Sequence, residues 1–521
     1  VRRLWPSLWL CLWLVPTAAA ATAPVRAQKQ LLAAPMRGAG DLFGQAIAAD
    51  RDFAVVGAPA RSVVAARAGA FYLLQRVDEV WSVIATHEEP VTAVVDRDLG
   101  FSLAIGDELL AAGAPGYSSI GVVYVYTYTM ATGWVTETTV ASPEPTAYSR
   151  FGTAVGVSQG QLLVGETPTA LPAMTDTVIG KTYVYDAAQN WAVTQTLTPQ
   201  DSQMGDRFGY AIAVDGDTAV IAAPGKESGR GAVYVFTRSA GVWTTAQKLV
   251  IAGDRVENDF FGHALAIAGD RVLVGAYGRY GQLGAAYLFV RSGGTWTQTQ
   301  ELTAEVPMAS EVFGARVALT AEHALVGGWG YQFVDAIGGR GGGYLYRGSG
   351  DVLTLLAALR ADDGVPGDLL GVGLALSEGS ALLGAPQDDA PTEPVFDASK
   401  APGSARVFGL VQAPGEPCVD DLDCEAPVRC CEAVCVATDA CEAATSSSGS
   451  GGSSGAVDPP TTASGAPEGT SEPEVPGVMF EAGQAGCGCR ESPGRVAGAV
   501  VMGMMLLSLR RRRVAGRGPG V

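Results

Sequence analysis

The sequence predicts an all-β fold, a seven-bladed β-propeller of four-stranded blades over residues 27–413. Three observations carry that prediction. A Phe-Gly or Leu-Gly pair begins at positions 43, 99, 151, 208, 261, 313 and 370. A Gly-Ala-Pro-like triplet follows every pair at one constant interval, beginning at positions 57, 113, 165, 222, 275, 327 and 384. Between and after these landmarks, runs such as "DTAVIAA" and "AVYVF" alternate with period two, as half-buried strands do.

Within a unit the first strand follows the aromatic-Gly pair. A tight turn such as Asp215-Gly216 or Gly269-Asp270 returns the chain into the second strand. A tyrosine run supplies the third (Tyr72, Tyr124, Tyr183, Tyr234, Tyr287, Tyr344), and a tryptophan segment the fourth (Trp81, Trp134, Trp191, Trp243, Trp296). Repetition at a nearly even spacing, from Phe43 to Leu99 to Phe151 and onward, describes radial blades with only short exposed edges. Small residues at both landmarks let inner strands crowd where larger side chains would not fit. The seventh unit has no tryptophan segment after Phe408. Leu32 precedes Phe43 by the same interval that separates Val140, Leu197, Leu302 and Leu359 from their own landmarks. Residues 27–34 are therefore expected to complete the seventh blade and tie the ends of the ring together.

These landmarks resemble the FG-GAP repeat family, the propeller repeats of integrin α chains and of many bacterial surface proteins. The resemblance covers about three quarters of the chain. Calcium-binding members carry a D-x-D-x-D-G-x-x-D loop between the landmarks. Here the interval is too short for it, and the hairpin tips read "ADRD", "GDE", "SQGQ", "DGD", "AGD", "TAEH" and "SEGS". None offers the several oxygen ligands that a hard cation needs, so neither metal nor cofactor is carried over from the family.

Composition narrows the partners. With 68 Gly, 29 Pro, 48% hydrophobic and 17% charged residues, the chain has the profile of a large core with many turns. A net charge of −18 would repel phosphate backbones, which excludes nucleic acid as an expected partner.

The two ends read as addresses. Residues 1–23 resemble a secretory signal peptide, with Arg2 and Arg3, an apolar run Leu4 to Val15, and small residues from Ala18 to Ala23. Residues 418–441 hold six cysteines (Cys418, Cys424, Cys430, Cys431, Cys435, Cys441) without C-x₂-C pairs or neighbouring histidines. Behind an export signal that pattern reads as a small disulfide-stapled module, with zinc as the competing reading. The spacing looks like a cystine-knot miniprotein, and that resemblance implies pairs 418–431, 424–435 and 430–441 among the connectivities open to six cysteines. Residues 442–485, rich in Ser, Gly and Pro, read as a disordered stalk.

Residues 486–513 close with "CGCRESPGRVAGAVVMGMMLLSLRRRR". The apolar run extends only from Val496 to Leu509. As a helix it spans about 21 Å, against about 30 Å of bilayer core. That suits a short C-terminal hydrophobic helix inserted transiently, with Arg510 to Arg513 on the cytoplasmic side. The pattern is similar to the MYXO-CTERM sorting signal. The resemblance implies cleavage by a processing protease near Cys487 or Cys489 and delivery to the cell surface or outer membrane, or secretion. A plain single-pass anchor is the competing reading.

No H-E-x-x-H or P-loop pattern occurs, and no enzyme chemistry is expected. His263 and His323 have no histidine or cysteine neighbours in the pattern and read as structural or solvated. The acidic pairs Asp362-Asp363 and Asp388-Asp389 read as turn acids. Function concentrates on loops above a rigid scaffold, and blades six and seven carry long ones, 330–340 and 387–402. Trp329, Tyr331, Phe333, Asp388, Asp389 and Phe396 make a candidate ligand patch there, the alternative being tolerated insertions. The expected function is non-enzymatic binding or adhesion toward an extracellular protein or polysaccharide. An enzyme with its site in the central channel, or a structural envelope component, are the alternatives.

The terminus yields a test. Intact-mass measurement on protein taken from its native cell surface should find Arg510–Arg513 missing, and the Cys487→Ala, Cys489→Ala double variant should retain them. Native mature protein that still carries residues 496–513 would establish the plain anchor instead.

Overall fold

The computed structural model describes residues 25–26, 28–35, 38–62, 67–88, 96–116, 120–145, 149–167, 179–305, 312–328, 341–365, 367–388, 401–410, 428–431 and 434–437. All lie in the first of two compact units, residues 1–450. Seven antiparallel blades follow one another along the chain. In blade four, Ile212–Asp215, Thr218–Ala223, Ala232–Ser239 and Val242–Leu249 pair in that order. The first strands of successive blades are neighbours around a central channel. That of blade seven (Gly373–Ser377) lies against that of blade one (Ile47–Asp50), so the ring closes.

Closure uses the N-terminal segment. Gln30–Leu32 is the outer strand of blade seven, antiparallel to Ser404–Gly409, with Leu32 opposite Ala405. Just before it, Val25–Arg26 adds a parallel fifth strand to Thr354–Leu359 of blade six, which the repeat pattern does not predict. Arg406 of blade seven, 1% exposed, gathers the joint. It donates to Gln28 Oε1 (2.9 Å), to Asp388 (2.6 Å) and to Asp363. These carboxylates oppose the desolvation of its guanidinium and raise its pKa.

The turns follow from local backbone chemistry. Asp215 pairs with Thr218, so the hairpin loop is Gly216-Asp217, one residue later than expected. Gln159-Gly160 and Asp107-Glu108 take positive φ at both loop residues, the conformation that matches the twist of the flanking strands.

The alternation misleads about burial. Thr218–Ala223 is buried at every residue, as are Arg271–Ala276 and Gln161–Glu166. These strands are not half-buried, because each blade is covered on both faces by its neighbours. The apolar residues form seven clusters, one in each space between adjacent blades. The landmark residue of each blade (Phe43, Leu99, Phe151, Phe208, Phe261, Phe313, Leu370) is at most 1% exposed and belongs to the cluster shared with the preceding blade. Burying such a side chain stabilises by about 1.5–3 kcal/mol.

Two polar devices repeat with the blades. A hairpin aspartate holds an arginine over the next tryptophan: Asp217, Arg238 and Trp243 in blade four, and Asp270, Arg291 and Trp296 in blade five. Asp52, Arg76 and Trp81 repeat it in blade one. The aspartates at these tips are therefore turned to guanidinium groups. The second device is a glutamine clamp between outer strands. Gln247 receives Trp296 N–H at 2.8 Å and donates to Trp296 C=O at 2.8 Å. Gln195 does the same to Trp243, Gln300 to Leu353, and Gln30 of the closing strand to Trp81.

Of the cysteine module, the described residues form a hairpin, Val428–Cys431 with Val434–Ala437, in which Cys430 is opposite Cys435. Cys418, Cys424, Cys441, Cys487, Cys489, the signal segment, the stalk and the C-terminal run lie outside the described residues.

The clamp is testable by urea denaturation. Gln247→Ala strands two backbone groups and should cost about 1–3 kcal/mol. Thr245→Ala, at an exposed position nearby, should stay within about 0.5 kcal/mol. Equal midpoints would show that the clamp holds nothing.

Candidate functional site

In each blade the first strand leaves one end of the channel and the second returns to it. The start of the first strand, the triplet and the segment joining second to third strand therefore share one end of the ring. A cavity of about 400 Å³ opens there on the channel axis and draws lining residues from all seven blades.

The residue after each landmark pair lines this cavity in blades one to five (Gln45, Phe101, Thr153, Tyr210 and His263) and is Ala315 or Val372 in blades six and seven. The next residue is small in six blades (Ala46, Ser102, Ala154, Ala211, Ala264, Gly373) but is Arg316 in blade six. The residue before each pair has left-handed backbone in all seven blades. It is Arg150 in blade three (φ 53) and Arg207 in blade four (φ 57). Arg150, Arg207 and Arg316 all line the cavity, and its described lining contains no carboxylate.

His263 sits among them. Its Nδ1–H donates to the Ala315 carbonyl (3.1 Å), which leaves Nε2 to accept from the Tyr210 hydroxyl (3.0 Å). Its ring meets Tyr277 edge-on at 4.5 Å. Burial, then the charge of Arg316, then that of Arg207, push the imidazole down to about 3. Burial lowers the Arg316 pKa. Arg316 Nη1 donates to the Ala315 carbonyl (3.0 Å), and the Arg150 guanidinium lies 5.0 Å from the Phe101 ring centre. Arg207 has no hydrogen-bond or ion-pair partner for its guanidinium among the described residues.

Other basic residues near this end are met by acids. Asp41 holds Arg61 at 3.0 Å, Asp206 holds Lys226 at 2.8 Å, and Asp259 holds Arg279 at 3.0 Å, all buried. Each aspartate also accepts the backbone N–H three residues before it, which shapes the entry to the landmark pair.

The candidate patch of the long loops is largely beyond reach. Trp329, Tyr331, Phe333, Asp389 and Phe396 lie outside the described residues. Asp388 is described: its carboxylate accepts from Arg406 (2.6 Å) and from the Ser404 hydroxyl, so it serves the closure of the ring. Asp363 is drawn to the same arginine. His323 begins the second strand of blade six, at the hairpin.

The cavity's arginines were missed because each is ordinary within its own unit. Only a position-by-position comparison of the seven units exposes Arg316 as the exception among small residues.

A scan against known families matches the FG-GAP repeat at residues 27–74, 191–236 and 243–289. The chain thus carries FG-GAP repeats arranged as a seven-bladed propeller. No curated protein matches it.

The histidine provides a test. Its folded value lies below the usual 6.5 or so, so on acidification the unfolded chain takes up the proton first. The stability contributed by neutral His263 is complete above about pH 6.5 and falls as the pH drops toward 3. His263→Phe, which copies Phe101 of blade two, should reduce the loss of stability between about pH 6 and pH 4, by a slope approaching about 1.4 kcal/mol per pH unit. Urea midpoints across that range measure it; parallel curves would show that His263 stays protonated or exposed.

Proposed function

We propose that this protein is a non-enzymatic, surface-displayed binding propeller that holds its ligand at the channel end where the first strands begin. The observation that carries the proposal is the division of labour among the repeats. Frame positions keep the same small or aromatic residues from blade to blade, whereas the positions around the cavity carry Gln45, Phe101, Thr153, Tyr210, His263 and Arg316. Side chains that the repeat frame does not fix converge from separate blades on one concave place, the usual form of a ligand site. The described residues that flank 329–340 and 389–400 lie at that same end. Presentation outside the cell rests on the signal-like N-terminus, the cysteine cluster, the stalk-like segment and the sorting-like C-terminus.

Binding is favoured over catalysis by the state of His263. An imidazole pushed down to about 3, whose Nε2 already accepts from Tyr210, is a weak base at neutral pH. The described lining pairs it with no carboxylate.

The test is a panel of extracellular polysaccharides and envelope proteins presented to the full chain, with bound material and reaction products both measured. Saturable binding without product is expected. Turnover of any panel member would replace this reading with an enzyme, and no retention of any would remove it.

A further inference from the structure

We infer that the channel-mouth cavity is an oxyanion site, taking a carboxylate, sulfate or phosphate group of a small ligand or of the end of a longer one. The inference deepens the binding reading above, and rests on it, by naming the chemistry that its cavity recognises.

Charge is the first ground. The chain carries a net −18, yet three guanidinium groups from blades three, four and six share one cavity whose described lining has no acid. The fold does not explain them. Six blades build the Arg316 position with Ala, Ser or Gly, and blades one and seven build the Arg207 position with Leu42 and Leu369. Nor does the local habit of the molecule explain Arg207, although Arg150 is within the field of the buried Asp98. Arg61, Lys226 and Arg279 each face a buried aspartate, whereas Arg207 faces none among the described residues.

The donors that remain point the same way. The Thr153 and Ser102 hydroxyls are committed to the carbonyls of Arg150 and Gly152, and Tyr210 to His263. His263, held neutral, has donated its one N–H to Ala315. The other polar groups of the lining are the Gln45 amide, the Thr167 hydroxyl and the guanidinium groups. The guanidinium of Arg207, which has no hydrogen-bond or ion-pair partner among the described residues, is a planar fork that matches the paired oxygens of an oxyanion. A cavity of about 400 Å³ admits one sugar-sized group and excludes a folded partner.

The experiment is calorimetric titration of the full chain with glucuronate, sulfate and inorganic phosphate in physiological sodium chloride, with glucose as the neutral control. At least one oxyanion should bind saturably at one site per chain, and glucose should not. Preference for glucuronate identifies a carboxylate source; preference for sulfate or phosphate identifies an ester source. Arg316→Ala and Arg207→Leu install residues that other blades use at the same positions, so melting should be little changed. Each should weaken binding by about tenfold or more, as loss of a charged hydrogen bond does. In the unmodified chain the His263 imidazole NMR signals should shift during the titration, a readout that needs no variant. The inference falls if no oxyanion binds above glucose, if binding leaves the His263 signals unmoved, or if both variants bind as tightly as the parent. Failure here alongside retention of a neutral polymer would leave the binding reading standing. Oxyanion binding without any polymer ligand would do the reverse.

Discussion

Each blade meets the next through a backbone carbonyl that lies where a side chain would otherwise begin. A Cβ on Gly57 of blade one would overlap the carbonyl oxygen of Gly100 in blade two, and one on Gly384 of blade seven would overlap that of Gly44 in blade one. Gly113, Gly165, Gly275 and Gly327 repeat the contact, and only blade four uses Ala222 at this place. The landmark glycines thus set the spacing between blades. With backbones this close, the Phe or Leu of each pair reaches back into the preceding interface, and both faces of the second strands are buried.

That spacing also determines where variation is tolerated. Residues within a blade interface are confined by two neighbours, whereas those at the channel end face open volume. Arg316 can therefore replace an alanine, and Arg150 and Arg207 a leucine, without disturbing the interblade clusters. The ring supplies rigidity and the channel mouth supplies chemistry. Acids elsewhere are bound into structure, as with Asp388 and Asp363 at Arg406 or Asp41 at Arg61.

Much of the fold was legible because its determinants are local and repeated. Phe208-Gly209 and the alanine-rich triplet at 222 recur at constant separation, and Leu32 occupies its place in the same frame. The parallel addition of Val25–Arg26 to blade six was not legible, since so short a backbone pairing leaves no periodic trace. The Gln247 clamp hid for another reason: a glutamine on an exposed-looking strand reads as solvated until the neighbouring outer strand is placed beside it. The site was less legible still. Tyr210, His263 and Arg316 each belong to a different repeat, and closure of the ring alone brings them together.

If the interblade contacts form one unbroken circle, the ring has no end from which to fray, unlike an open array of repeats. Native-state hydrogen exchange on the second strands of all seven blades tests this most directly. The account predicts that Phe53–Ala58 of blade one and Ser380–Ala385 of blade seven open with the same free energy as Thr218–Ala223 of blade four, the value for global unfolding. Lower protection confined to blades one and seven would mean that the N-terminal strand does not close the ring.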